Sequence, residues 1–337
     1  MDKVKIGIIG AGKMGVTHCG AFMNHKKAKV VSVCDIDEGR ANDLAEGNWP
    51  EIVYYNGRFM PKYTLKKVYE DYRQLLNKTD IDAVVVATPE DSHYSIVREA
   101  LENNKHVLVE KPFVKNCKLA NELVELADKK DLVLSVGQCW RFHPHLKYAR
   151  NIVNSGILGE ITKVKGHSLN DSGEETLNNN SVDIIDSISY LLKEMKIKYV
   201  VGNFMNTLDA NINEDIGVVL MGFESGASGI FEFGGPNITK NDGEPAIQLF
   251  GTQGYLNIFP TSIKLYMKDE EGQFYPELCD WYFSKELFMR QVRSFVSSIL
   301  RGRENINSGR SYLETIKINN AIEKSKKENR IVFLDGS

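Results

Sequence analysis

The feature that most constrains the fold is a short apolar strand that runs straight into glycine. Residues 4–9 (Val-Lys-Ile-Gly-Ile-Ile) read as a buried strand, and Gly10-Ala11-Gly12-Lys13-Met14-Gly15 follows at once. A helical stretch over 14–24 and a second strand over 28–34 come next. In such a strand–turn–helix–strand unit each glycine has its own duty. Gly10 permits the tight turn, Gly12 lets backbone approach a pyrophosphate closely, and Gly15 lets the helix pack on the strand. The helix amino terminus offers unpaired N–H groups and the positive end of its dipole to phosphates. Asp35 closes the second strand twenty residues beyond Gly15. A carboxylate there accepts from ribose hydroxyls and repels a 2′-phosphate, which points to NAD rather than NADP. Gly10, Gly12, Lys13, Met14, Gly15, Asp35 and Ile36 make up this part of the cofactor set. The bland alternative is a βαβ unit that holds no nucleotide.

The alternation continues. Residues 36–46 read as a helix with a solvated face of Asp37, Glu38, Arg40 and Asp43. From 48 to about 67 the pattern breaks into an aromatic-rich loop with Trp49, Tyr54, Tyr55, Phe59 and Tyr63. A loop of that length inside a compact domain usually has a use; a cover over the adenosine end, an oligomer contact and surface decoration all fit. A short strand and helix over 68–76 precede a strong strand, 81–87, which ends in Thr88-Pro89 before a helix carrying His93.

Val107-Leu108-Val109 is the next buried strand, and it stops abruptly at Glu110-Lys111-Pro112. Side chains at the carboxyl end of a parallel strand face the crevice where open α/β sheets bind ligands. A lysine fixed there between a glutamate and a proline suits proton transfer, and Pro112 is a candidate for a cis peptide bond. The competing reading is a strand that merely runs out into a polar loop. A helix over 118–129 and a strand over 133–136 complete the alternation, which specifies a doubly wound parallel sheet with right-handed crossovers.

Beyond Pro144 the texture changes. A helix over 146–154, a Gly156–Gly159 turn and a strand over 161–166 lead to an amphipathic helix, 182–195. Its apolar arc holds Ile184, Ile185, Ile188, Leu191, Leu192 and Met195, with Asp183, Asp186 and Tyr190 opposite. Alternating segments at 218–224, 229–233, 246–250, 255–259 and 263–267 form an antiparallel sheet, followed by helices 287–300 and 312–326 and a strand at 330–334. The chain is thus α/β, with a nucleotide-binding domain over 1–137 and an α+β domain over 138–337. The second sheet needs cover on a face where Phe231, Phe233, Leu249 and Tyr255 alternate, which predicts a homodimer or homotetramer.

Composition removes other classes. Forty-two basic residues against 45 acidic give a net charge of −3, too balanced for a nucleic-acid or membrane partner. No apolar run approaches membrane-spanning length, and Met1-Asp2-Lys3 leads directly into a strand rather than a signal peptide. Five cysteines show no Cys-x-x-Cys spacing, which fits reduced thiols in the cytoplasm. His143-Pro144-His145 lacks further ligands at a recognisable spacing, so no metal is expected.

Together these pieces resemble the glucose–fructose oxidoreductase/inositol dehydrogenase (Gfo/Idh/MocA) family over nearly the whole length. The resemblance rests on Gly10–Gly15, Asp35, Ala87-Thr88-Pro89 with His93, Glu110-Lys111-Pro112, Arg141-Phe142-His143-Pro144, Gly156–Gly159, Phe295, Ser308-Gly309 and Ala321. It implies NAD-linked oxidation or reduction of a sugar, inositol or nucleotide sugar. It also implies that Thr88, Pro89, His93, Glu110, Lys111 and Arg141 join the cofactor-binding residues and that Lys111 shuttles the proton. Where the family carries Asp-x-x-x-His-x-x-Asp, this chain has Asn179, Asp183 and Asp186, so Asp183 replaces the usual histidine. Asn179 and Asp183 are then substrate-binding candidates with Lys111, and Asp183 is a second catalytic candidate. Alternatively, Asp183 only complements the helix amino terminus near a Ser181 cap. The family's asparagine beside the Arg-Phe segment is Cys139 here. Two other functions compete with the dehydrogenase: a glycoside hydrolase that recycles held NAD, and a non-catalytic NAD-binding regulator.

Overall fold

The computed structural model describes residues 3–48, 64–168, 177–205, 216–234, 246–259, 262–268, 273–274, 284–303 and 305–334. The aromatic segment from Trp49 to Tyr63 lies outside them. The chain forms two compact units, one of residues 1–139 and 283–313 and the other of 140–282 and 314–337.

The first unit alternates as the sequence pattern requires: β1 (Val4–Ile9), α1 (Lys13–Met23), β2 (Ala28–Cys34), α2 (Glu38–Glu46), β3 (Val68–Tyr69), α3 (Tyr72–Lys78), β4 (Ala83–Val86), α4 (Glu90–Glu102), β5 (His106–Val109), α5 (Cys117–Lys129) and β6 (Leu134–Val136). The strands pair in the order β3-β2-β1-β4-β5-β6, every pair parallel. Such a sheet is covered on both faces, so its central strands are apolar throughout; Ala83, Val84, Val85 and Val86 are all fully buried. Asp37, Asp71 and Asn116 start their helices by accepting backbone N–H groups with their side chains. Strand order reverses between β1 and β4, and at the carboxyl ends of those strands a doubly wound sheet binds its ligand.

The rest of the chain contributes a short 3₁₀ turn (Cys139–Phe142), α6 (Pro144–Asn154), β7 (Ile161–Ser168), α7 (Leu177–Leu191), β8 (Ile197–Met205), β9 (Ile216–Phe223), β10 (Ser228–Gly234), β11 (Ile247–Gly251), β12 (Gly254–Ile258), β13 (Ile263–Met267), β14 (Gln273–Phe274), α8 (Ser284–Arg301), α9 (Gly309–Glu328) and β15 (Val332–Phe333). The second sheet runs β14-β13-β12-β11-β7-β10-β9-β8-β15. All its pairs are antiparallel except β7 with β10. Strand β8 has no counterpart in the sequence reading, because Ile197–Met205 does not alternate cleanly. Gly202 interrupts it, and a Cβ there would meet the Phe204 ring at 2.8 Å.

Helix α7 lies on one face of this sheet. A Cβ at Gly166 would meet Ile184 and Phe231 at 2.9 Å, so only glycine lets the helix come so close. Phe231, Phe233 and Leu249 belong to this buried face. Sequence alone set them on the face needing cover; the register turns them the other way, and of that group only Tyr255 is partly exposed. The opposite face presents Val218 and Leu220, 39% and 44% exposed, with Ile230, Phe250, Tyr255 and Tyr266 half-buried beside them.

The boundary expected after residue 137 meets a complication. Helix α8 comes from the far end of the chain, yet Val292, Phe295 and Val296 pack in one cluster with Val4, Ile6, Ile8 and Phe22. Phe22 and Phe295 meet edge to face, ring centres 6.1 Å apart. The apolar outer side of α1 needs cover, and α8 supplies it. Among the described residues, no helix is long and apolar enough to cross a membrane. Truncating the fully buried Phe295 to alanine should destabilise the first unit by about 3–5 kcal/mol. Urea unfolding monitors this, and a cost below about 1 kcal/mol would show that α8 is dispensable to that core.

Candidate active site

The carboxyl edge of the first sheet is built from backbone crowding. Gly10 adopts φ +97°, and a Cβ there would lie 2.4 Å from the carbonyl oxygen of Ala87, the residue after β4. A Cβ on Gly15 would lie 1.8 Å from the Gly10 oxygen, so α1 can start this low only with glycine. Gly12 is different. None of the described residues stands within 4 Å of its would-be Cβ, which leaves open the approach that a pyrophosphate needs. No side chain caps the amino end of α1. Lys13 is exposed and Met14 half-buried on its first turn.

Asp35 ties this edge together. Its Oδ2 accepts from the Ala11 N–H at 2.6 Å and its Oδ1 from the Asp37 N–H at 2.9 Å. Ile36 beside it is 93% exposed, an apolar platform with no protein partner over most of its surface. These residues fit NAD: a free helix terminus for the phosphates, a carboxylate for ribose, and an apolar surface for the base. Cys34, the residue before Asp35, is no nucleophile. Burial pushes its thiol up to about 12, with the Asp35 and Asp71 carboxylates adding to the effect.

Three strands further along, β5 delivers the glutamate–lysine–proline turn. Lys111 is half-buried, and the Lys111–Pro112 peptide is cis. Glu110 is 5% exposed, its Oε1 lying 2.5 Å from Nε2 of His18 on α1. Its Oε2 accepts the Lys111 backbone N–H at 3.1 Å. Glycine at 137 is required here as well, because a Cβ would stand 2.6 Å from Glu110 Oε1. His93 is 1% exposed and caught between turns. Its Nδ1 lies 2.9 Å from the Pro112 oxygen and its Nε2 2.8 Å from the Thr88 oxygen. Glu110 and His93 were expected in the cofactor set; their side chains are instead directed into protein, where they fasten the turns. Thr88 is half-buried and Pro89 exposed, and the Thr88 hydroxyl oxygen accepts from Ser92 Oγ at 2.8 Å.

The second unit holds a buried charge network. Arg141 is 3% exposed, and its guanidinium meets the fully buried Asp186 in a fork, Nε to Oδ2 at 2.9 Å and Nη2 to Oδ1 at 2.6 Å. The Thr315 hydroxyl donates to the same Oδ1 at 2.8 Å. Tyr190 is 9% exposed, with the Arg150 guanidinium 4.2 Å from its ring centre. Sequence placed Asp186 and Tyr190 on the polar side of the helix and Arg141 in the cofactor set. The structure buries all three, because the carboxylate and guanidinium satisfy each other away from water.

Helix α7 also starts earlier than expected. It begins at Leu177, so Ser181 is inside it and Asp183 stands nearly two turns in. The macrodipole acts within the first turn, which removes the reading of Asp183 as a helix-terminal charge. Asp183 is half-buried. Asn179 lies in the helix one turn earlier, with its side chain outside the described residues. His143 caps α6 by accepting the His145 N–H on its Nδ1. Among the described residues, no group of three or more potential ligands could hold a metal ion.

His18 and Thr315 escaped the sequence reading. The sole signal for His18 was a titratable residue on the apolar side of α1, beside Cys19, Ala21 and Phe22, all buried. Thr315, 129 residues from its partner Asp186, had none.

Residues 4–138 match the family described as "Oxidoreductase family, NAD-binding Rossmann fold". Along 355 residues, 98% of this chain and 99% of the relative, the sequence is 23% identical to myo-inositol 2-dehydrogenase of Thermotoga maritima. The fold is similar to that of an oxidoreductase from Agrobacterium radiobacter in complex with NAD+, L-tartaric acid and magnesium. That likeness has a TM-score of 0.82 at 20% identity over 98% of both chains. Scyllo-inositol dehydrogenase from Lactobacillus casei with bound NAD(H) and scyllo-inositol is similar too, with a TM-score of 0.78 at 21% identity, covering 98% of this chain and 99% of that one. The Rossmann unit followed by a mostly antiparallel sheet is common to them, and the cofactor is NAD.

Because Asp35 holds its carboxylate at the end of β2, NAD should bind at least about tenfold more tightly than NADP, a difference of about 1.4 kcal/mol. Calorimetric titration of the apoprotein with each dinucleotide measures it. Tighter binding of NADP would mean that Asp35 does not meet the ribose.

Proposed function

We propose that this chain, whose residues 4–138 match an NAD-binding oxidoreductase family, oxidises a hydroxyl of a sugar, inositol or nucleotide sugar, or reduces the corresponding ketone. The observation that carries this reading is the placement of Lys111. It stands half-buried just beyond β5, on the same carboxyl edge as the glycine turn and Asp35. The full-length similarity to an enzyme named for myo-inositol supports the substrate class.

NAD, when bound, supplies the hydride acceptor. The chain's own work is to bind and to move a proton. Gly10, Gly12, Lys13, Met14, Gly15, Asp35 and Ile36 hold the dinucleotide, with Thr88 and Pro89 on the neighbouring turn. Arg141 acts at one remove, by fixing α7 through Asp186. Lys111 takes the hydroxyl proton as the C–H hydride leaves, or returns it when a ketone is reduced. Asn179 and Asp183 on α7 are the candidate substrate-binding residues, with Asp183 standing in for the family histidine as a base. Nucleotide binding belongs to the unit of 1–139 and 283–313, and substrate recognition and assembly to the other. Cys19, Cys34, Cys117 and Cys139 are thiols rather than disulfides, in keeping with a reducing, cytoplasmic setting.

Assembly goes through the partly exposed face of the second sheet, where Val218, Leu220, Ile230, Phe250, Tyr255 and Tyr266 form an apolar surface suited to a second copy. Light scattering should give a mass of two or four times 38.0 kDa, and Leu220→Arg should lower it. A particle of 38.0 kDa at micromolar concentration would refute the assembly.

A panel of inositols, sugars and nucleotide sugars assayed for NADH formation tests the function. Release of free sugar from a glycoside without net NADH would identify the hydrolase instead, and NAD binding without turnover the regulator. On the true substrate, Lys111→Ala should lower kcat by about 10²–10⁴-fold and leave NAD affinity intact. Asp183→Asn should lower kcat by at least about tenfold, equivalent to roughly 1.4 kcal/mol of barrier. Near wild-type turnover in Lys111→Ala would end the lysine mechanism; an unchanged Asp183→Asn enzyme would end only the role of the aspartate.

A further inference from the structure

Strand β5 ends at Val109 and α5 begins at Cys117, so Lys111 stands on a connecting turn rather than on a regular element. Two buried histidines meet that turn from two different helices. We propose that His18 and His93 are positioning residues for Lys111, each fastening one side of its turn. The inference rests on the assignment of the proton to Lys111.

His18 works from α1 through Glu110. The ring is fully buried, edge-on to Phe288 at 5.3 Å, and its buried Nδ1 has no hydrogen-bond partner among the described residues. An unpaired lone pair costs less than an unpaired N–H in such a place, so Nε2 carries the proton. That N–H donates to Glu110 Oε1 at 2.5 Å, and the carboxylate so fixed keeps Oε2 on the Lys111 N–H.

His93 works from α4 on the other side. Its Nδ1 faces the Pro112 oxygen at 2.9 Å and the Phe113 oxygen at 3.2 Å, while its Nε2 faces the Thr88 oxygen at 2.8 Å. Carbonyl oxygens only accept, so a protonated ring nitrogen donates to the turn it faces while the other nitrogen lies against the opposite turn. It thereby clips the Lys111–Pro112 turn to the Thr88–Pro89 turn. With 0% and 1% exposure, neither ring touches reacting atoms; both act through the backbone that bears the lysine. A displacement of about 1 Å in a catalytic group costs about 10²-fold in rate, so a turn held this way bears directly on turnover.

The two histidines differ in what can replace them. Glutamine places its amide N–H near the Nε2 position and asparagine near Nδ1. His18→Gln keeps the one bond that matters, whereas neither amide at 93 can bridge both carbonyls. With myo-inositol and NAD as probes, His18→Gln should retain kcat within about threefold. His18→Asn, His93→Asn and His93→Gln should each lose about tenfold to hundredfold, with NAD dissociation constants within about threefold of wild type. A uniformly structural role would not rank the variants in this order. Wild-type kcat in His93→Asn or His93→Gln overturns the proposal, as does a His18→Gln enzyme no better than His18→Asn. Lys111→Ala assayed in parallel separates the two levels: turnover retained there defeats the lysine assignment itself. Should a variant fail to fold, or the probe polyol not turn over, nitrogen-15 NMR of the wild-type holoenzyme decides. A hydrogen-bonded proton on Nε2 of His18 is expected, and a His18 ring protonated on Nδ1 alone overturns the proposal.

Discussion

The first unit depends on how closely its backbone is packed at the carboxyl edge of the sheet. Gly10 against Ala87, Gly15 against Gly10 and Gly137 against Glu110 leave no room for a single Cβ. This crowding seats α1 low on the sheet, which brings His18 within reach of Glu110 and leaves the helix terminus open beside Gly12. Nucleotide binding and lysine placement therefore share one cause. An alanine at any of the three crowded glycines would disturb both, because the obstructing atoms are backbone or a buried carboxylate and cannot give way cheaply.

The second unit is organised around a buried charge. Arg141, Asp186 and Thr315 satisfy one another where water is excluded, so removing Arg141 or Asp186 leaves the other charge buried and unpaired, at a cost of about 3–5 kcal/mol. The same helix carries Asp183 one turn earlier, half-buried rather than sealed in. One carboxylate is locked in a buried ion pair and the other is only partly enclosed. Their difference lies in what surrounds them and not in their chemistry.

The parts of this molecule legible in its sequence are those with local signals. The parallel sheet, the glycine turn, Asp35 and the lysine turn all follow from strand periodicity and from motifs a few residues long. What stayed hidden involves partners far apart in the chain. Helix α8 joins the first core from residues 284–301, and Thr315 reaches Asp186 across 129 positions. The polar side assigned to α7 failed for the same reason, since a helical wheel counts Asp186 as solvent-facing unless its arginine is known. The register of the second sheet was misjudged for Phe231, Phe233 and Leu249 because alternation gives two faces but does not say which one a helix covers.

Hydride transfer is the centre of the account, and isotope tracing tests it most directly. Inositol deuterated on its carbinol carbons, incubated with the enzyme and NAD in ordinary water, should yield NADH carrying one deuteron on the nicotinamide ring, read by mass spectrometry. The hydroxyl proton would be lost to solvent. NADH that carries only protium, or loss of the deuterium to water without reduction of NAD, would contradict the assignment.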